Sequence, residues 1–209
     1  MSEPTLQDRF HLIGIGGAGM SVVAELLASR GATVEGSDRE DSAVLEHLRS
    51  VGVRVYVGHD ASHVDPTAVV VVSTAIRESN PELAIARERG QRVIHRSQAL
   101  ALAASGMRFV GVAGAHGKTS TSGMLAIALA ACGLDPSVAV GGVLPQLGTG
   151  AHLGAGDVFV AEADESDGSF LNYSPSIEIV TNVEPDHLDR YHSREEFEQI
   201  FVEFARRMV

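Results

Sequence analysis

Lys118 is the only lysine in the chain; the other fifteen of its 16 cationic side chains are arginine. A composition that uses Arg almost everywhere and keeps one Lys marks a position needing a compact ammonium on a flexible stem rather than a planar fork. The run around it, Gly111-Val-Ala-Gly-Ala-His-Gly-Lys-Thr-Ser120, is glycine-rich. Such a loop suits an anion: the backbone of Gly114, Ala115, His116 and Gly117 can cradle phosphates. Lys118 then reaches the terminal phosphates, and the hydroxyl of Thr119, followed by Ser120, meets a magnesium ion. The common pattern G-x-x-x-x-G-K-[ST] carries a further Gly where this chain has Val112.

The elements around the loop meet its structural requirement. Arg108 to Ala113 reads as a short buried strand leading in, and Ser120 to Ala131 as a helix with Met124, Leu125, Ala128 and Leu129 on its apolar face. Upstream, strand and helix patterns alternate. Phe10–Gly14 reads as a strand, Ala18–Arg30 as a helix stopped by Gly31, and Ala32–Gly36 as a strand; helix 42–50, strand 53–57, strand 68–73, helix 81–89, strand 92–95 and helix 97–104 follow. This order predicts an α/β fold with a Rossmann-like parallel sheet over residues 1–105, and a P-loop domain beginning at 106 and running to 209. In the second part, 137–142, 157–164 and 177–182 read as strands, 148–156 as a glycine-rich connection, and Arg194–Met208 as a helix.

A second glycine loop lies near the N-terminus. Gly14-Ile-Gly-Gly-Ala-Gly19 follows a strand and opens a helix at Ala18, and Asp38 closes the next strand. The pattern brings backbone amides and a helix N-terminus to a diphosphate, with Asp38 free to accept from ribose hydroxyls or a base edge. A dinucleotide fits this, and so does a UDP-sugar, which carries the same diphosphate. Further candidates on this part are Met20, His59 in Gly58-His-Asp60, and Ser73, Thr74 and Ala75 at a strand's carboxyl end, where open α/β sheets bind ligands. His95 and Arg96 are weaker candidates.

Composition sets bounds. The net charge of −11 repels nucleic acid and anionic membranes. The polar N-terminus lacks the apolar core of a secretory signal, and no apolar run approaches a membrane span, so neither membrane insertion nor nucleic-acid binding is expected and the cytoplasm is the default compartment. The single Cys132, at the end of an Ala/Leu helix, reads as a small buried thiol.

Four strings together, Gly14-Ile-Gly-Gly-Ala-Gly-Met20, Gly114-Ala-His-Gly-Lys-Thr-Ser120, Ala161-Glu-Ala-Asp-Glu-Ser-Asp167 and Thr181-Asn-Val-Glu-Pro-Asp-His-Leu-Asp189, resemble the Mur ligases of peptidoglycan synthesis. They run through nearly the whole chain in family order. Ala115 stands where the family usually has Thr, and Ser120 is a conservative change in the hydroxyl pair that follows Lys118. Within the family the pattern resembles the members that join L-alanine to UDP-N-acetylmuramic acid.

The resemblance implies a division of labour: a first domain for the UDP-sugar, a central domain for ATP and Mg2+, and a C-terminal domain for the amino acid. The chain then reads as an N-terminal fragment lacking that last domain and part of the central one, inactive in ligation by itself. Lys118, Glu162 and His187 become the catalytic candidates, with Thr119, Glu162 and His187 as metal ligands and Asp186 orienting the His187 ring. Asp164, Glu165 and Ser166, with Asp167 and the Gly141-Gly142 turn, become candidates for the muramyl portion. The implied chemistry is phosphorylation of the lactyl carboxylate by ATP, then displacement of phosphate from the acyl phosphate by the amine. Two alternatives stay open: a ligase attaching a preformed peptide to the same nucleotide, and an NAD-dependent oxidoreductase built on the first loop. Oligomeric state is also open, a homodimer being one option.

Overall fold

The computed structural model describes residues 3–166, 168–184, 191 and 193–209. The chain divides into two compact units, Met1–Ala103 and Ala104–Val209.

The first unit runs β1 (Arg9–Ile13), α1 (Ala18–Ser29), β2 (Thr33–Asp38), α2 (Ala43–Ser50), β3 (Arg54–Val57), β4 (Val69–Val72), α3 (Pro81–Glu88), β5 (Val93–His95) and α4 (Arg96–Ala103). Its sheet has the order β3-β2-β1-β4-β5, with every neighbouring pair parallel. Phe10, Leu12 and Ile13 of β1 and Val70 and Val71 of β4 have no exposed area. Strands buried on both faces are what a parallel sheet covered by crossover helices requires. The helices start where their caps dictate. Ser42 accepts from Leu45 N–H to open α2, and Asn80 accepts from the Glu82 and Leu83 N–H groups to open α3, with Pro81 at its first position.

The second unit runs β6 (Arg108–Ala113), α5 (Lys118–Ala131), β7 (Ser137–Leu144), β8 (Thr149–His152), β9 (Val158–Glu162), β10 (Ile177–Val180) and α6 (Arg194–Ala205). The sheet order is β10-β6-β9-β7-β8, and β8 alone is antiparallel, paired with β7. The stretch expected to be only a glycine-rich connection therefore holds a short strand. At the other margin, β10 leaves Ile177 50% and Val180 41% exposed. Phe201 and Phe204 of α6 pack with Phe170 through ring contacts, and Phe197 packs edge-on against Phe201.

Two further expectations change. Along α5 Leu125 and Leu129 pack on Val110, Val158 and Val160 as expected, but the fully buried residues are Ser122, Gly123 and Ala126, while Ala128 is exposed and Met124 is 67% exposed. The reason is close approach: a Cβ on Gly123 would stand 2.8 Å from a Leu144 methyl, so small residues face β7. Cys132, at the end of α5, is exposed rather than buried. No helix among the described residues is long and apolar enough to cross a membrane.

Candidate functional site

In the first unit, the carboxyl ends of β1, β2 and β4 open on a crevice of about 700 Å³. Gly14, Gly17, Ala18, Gly19, Met20, Asp38, His59, Ser73 and Ala75, all expected from sequence, line it. Gly17 precedes α1 without a side-chain cap, so the first amides of the helix are left for a ligand. Two expected residues take other places. Gly16 spends its N–H on Asp38 Oδ2 at 2.8 Å, and Thr74 does not line the crevice although Ser73 and Ala75 on either side of it do. Asp38 accepts from Arg39 N–H as well, so its carboxylate latches the glycine loop to the end of β2.

Sequence reasoning missed Arg39 and Arg77, which join Arg96 on the crevice wall. Their signal was available: Arg39 follows Asp38, and Arg77 follows the Ser73–Ile76 run. The Arg96 guanidinium lies where a Cβ on Gly19 would be, so the glycine leaves room for this cation beside the α1 N-terminus. Three guanidinium groups around a helix N-terminus suit a diphosphate.

Behind the crevice lies a polar cluster that the sequence did not reveal. Glu82, with no exposed area, accepts from the Ser37 hydroxyl at 2.5 Å and from Asp60 N–H at 3.3 Å. His63 Nδ1 and His59 Nδ1 approach it at 3.2 and 3.3 Å, and His59 Nδ1 also meets the Ser37 hydroxyl at 2.8 Å. His59 thus lines the crevice while its Nδ1 is engaged inward. His11, fully buried on β1, stands 3.5 Å from Glu82 and 3.7 Å from Glu35, contacts of charge rather than hydrogen bonds.

Burial alone would lower the His11 pKa, but the two carboxylates outweigh it and raise it above the usual 6.5. Glu82 is opposed by burial too, yet His11, Ser37 and the Asp60 amide pull its pKa below 4.5. The signs give a window. Stabilisation from Glu82 is present above 4.5, and stabilisation from charged His11 is complete below 6.5 and lost as pH rises through its raised value. The first unit should therefore unfold at its highest temperature between these limits and at lower temperatures on the alkaline side. A His11→Gln variant should lose the alkaline slope; an unchanged slope in calorimetry across pH would assign it to another group.

In the second unit the phosphate loop is shorter than the common pattern because β6 continues through Val112, which pairs with Glu162 on one side and Ile179 on the other. The loop proper starts at Gly114, with φ +132°, where a Cβ would collide with the Thr181 hydroxyl. That hydroxyl donates to His116 O at 2.6 Å, and Asn182 both donates to His116 O and accepts from His116 N–H, so the end of β10 fixes the loop's shape. Ala115 and His116 stand at the loop's outer bend. Gly117, in the left-handed region, opens α5 without a side-chain cap, and Lys118, Thr119 and Ser120 form the first turn of the helix.

Glu162 ends β9 beside the loop and accepts from Gly141 N–H at 2.9 Å. Thr119 packs on the neighbouring Gly142, where a Cβ would lie 3.1 Å from its methyl. The Thr119 side chain and the Glu162 carboxylate thus approach adjacent glycines, which belong to strand β7 rather than to a turn, and both residues carry hard oxygen donors of the type magnesium takes. Among the described residues no three His, Cys, Asp or Glu side chains converge on a metal position. His187, Asp186 and Asp167 lie outside the described residues.

The Ala161–Ser166 string divides its roles. Asp164 accepts from Ser166 N–H at 3.0 Å and shapes the turn. Glu165, expected near the sugar, instead points inward with no exposed area, and its carboxylate oxygens lie 2.8 and 3.0 Å from Lys118 Nζ.

Comparison with known proteins covers both units. The profile described as Mur ligase family, catalytic domain, matches residues 9–108, and that of the Mur ligase middle domain matches residues 112–209. The UDP-N-acetylmuramate–L-alanine ligase of Renibacterium salmoninarum is 55% identical over 94% of the chain, which spans 42% of that relative's length. Among solved structures, the UDP-N-acetylmuramate–alanine ligase of Thermotoga maritima superposes with a TM-score of 0.85 at 32% identity, covering 96% of this chain and 47% of that one. The UDP-N-acetylmuramate:L-alanyl-γ-D-glutamyl-meso-diaminopimelate ligase of Neisseria meningitides superposes with a TM-score of 0.88 at 29% identity, covering 97% and 69%. With two profiles of one family covering nearly its whole length in order, the chain belongs to the Mur ligase family.

Proposed function

We propose that these residues are the nucleotide-handling part of an ATP-dependent ligase that joins L-alanine to UDP-N-acetylmuramic acid in the cytoplasm. The observation that carries the reading is the phosphate loop of the second unit, where Lys118 and Thr119 open a helix without a side-chain cap and Glu162 ends the neighbouring strand β9. Its residues fit a nucleoside triphosphate: Gly114 and Gly117 have the backbone conformations that a close phosphate approach needs. Thr119 and Glu162 would hold magnesium, with His187 as a further ligand, and the ion would supply positive charge at the transferring phosphoryl group. Lys118 adds its own charge there, and Asn182 and Thr181 keep the loop in place.

The first unit takes the UDP portion in this reading, its diphosphate on the α1 N-terminus among Arg39, Arg77 and Arg96. Identity of 55% with an alanine ligase supports alanine as the incoming amine. Attachment of a preformed peptide is the second reading, favoured by the fold similarity to the Neisseria enzyme. Mass spectrometry of the product of a full-length protein offered both amines separates the two.

The ligand of the first unit is tested by thermal unfolding. A ligand at a hundred times its Kd stabilises the folded state by about 2.7 kcal/mol, so UDP-N-acetylmuramic acid should raise the unfolding temperature and NAD should not. Stabilisation by NAD alone would overturn the assignment.

A further inference from the structure

We infer that Glu165 is an internal stand-in for nucleotide phosphate on Lys118, released when nucleotide binds. This rests on the reading of residues 114–120 as a phosphate cradle. An ammonium has three N–H donors, and all three have acceptors here: Gly114 O at 2.7 Å and the two Glu165 oxygens at 3.0 and 2.8 Å. The Lys118 side chain is 18% exposed and the Glu165 side chain not at all. The charge that the loop would offer to a phosphate is thus turned inward and already neutralised.

The backbone of Glu165 is anchored, its carbonyl accepting from the Tyr191 hydroxyl at 2.5 Å and from Gly168 N–H at 3.0 Å. Both contacts are made by the main chain, so the turn keeps its place when the carboxylate changes partners. A phosphate arriving at Lys118 meets a carboxylate already holding the same ammonium, and two anions on one cation repel in a site with little water. Exchange relieves this: the carboxylate leaves Lys118 as the phosphate oxygens take its donors. Glu165 is then a positioning residue. It holds the lone lysine in place, and it weakens the apparent nucleotide affinity by the fraction of chains in which Lys118 is held inward.

The test uses the 209-residue chain, the variant Glu165→Gln, and Glu165→Asp, which keeps the charge but shortens its reach. Mg-ATP and Mg-ADP are titrated calorimetrically into each, and the side-chain nitrogen of lysine is followed by NMR after isotopic labelling. The chain has one lysine, so the signal reports on Lys118 alone. If the inward state outweighs the open one by about ten to one, Glu165→Gln should bind Mg-ATP about tenfold more tightly, with Glu165→Asp in between. The Lys118 signal should also differ between wild type and Glu165→Gln before nucleotide is added. A purely structural Glu165 would give lower thermal stability without tighter binding. Equal or weaker affinity in folded Glu165→Gln, or in Glu165→Asp if the Gln variant does not fold, would overturn the exchange and leave the phosphate cradle standing. Nucleotide binding by none of the three, with an unmoved Lys118 signal, would overturn the cradle and the exchange together.

Discussion

Lys118→Ala in a full-length ligase carrying these residues should lower turnover by at least about a hundredfold, the scale on which removing one preorganised charge from a transferring group is felt. No other lysine exists in the chain to take its place. Lys118→Arg should fail as well, because the planar guanidinium cannot reproduce a compact ammonium held between Gly114 O and Glu165. The substitution to Ala also leaves Glu165 buried without its partner, so loss of stability must be separated from loss of chemistry. Pairing it with Glu165→Gln removes that buried charge; the double variant should regain stability and remain inactive. Near-normal turnover in a folded Lys118→Ala enzyme would remove Lys118 from the reaction.

Glu82→Ala should cost the first unit about 3–5 kcal/mol, the usual penalty for breaking a buried charge pair by deleting one side. The change strips acceptors from Ser37, His59, His63 and the Asp60 amide at once, and it leaves His11 facing Glu35 alone. Against a typical domain stability of about 5–15 kcal/mol, this brings the unit close to unfolding. Because His59 also lines the crevice, binding of the sugar nucleotide should weaken in whatever fraction stays folded. Urea unfolding followed by circular dichroism measures the cost. A loss below about 1 kcal/mol would mean that the cluster is wet and that the pairs contribute little.

The sheets were legible in the sequence because their strands are short apolar runs closed by Gly, Asn or Ser, and those residues set the helix starts as well. Alternation alone placed β1 to β5 in a parallel sheet, and the glycine spacing placed both loops at strand ends. What escaped depended on contacts distant in sequence. β8 hides among glycines, since its pairing with β7 is set by backbone register rather than by an apolar run. A search for large apolar residues at helical spacing finds Leu125 and Leu129 of α5, which pack on Val110, Val158 and Val160, but misses the small residues that face β7 at close approach. The cluster on Glu82 draws residues from β1, β2, α3 and the segment after β3, and no local pattern marks them as neighbours. Glu165 lies in a recognisable string, yet only the fold reveals that it faces Lys118.

The β10 margin bears on how the molecule keeps company with itself in solution. Among the described residues β10 pairs with β6 on one side only, and it exposes Ile177 and Val180. Such a strand is a template on which another chain can add a strand, the first step toward aggregation. Glu178 stands in the middle of it, and burial raises its pKa above the ordinary 4.5. Its charge is the local guard against such pairing, and it is surrendered earlier on acidification than that of an ordinary surface carboxylate. The overall charge of −11 holds molecules apart at neutral pH, and falls over the same acid range as the carboxylates titrate. Solubility and strand-edge protection therefore fail together on the acid side, which makes neutral to mildly alkaline buffer the range in which this chain stays dispersed.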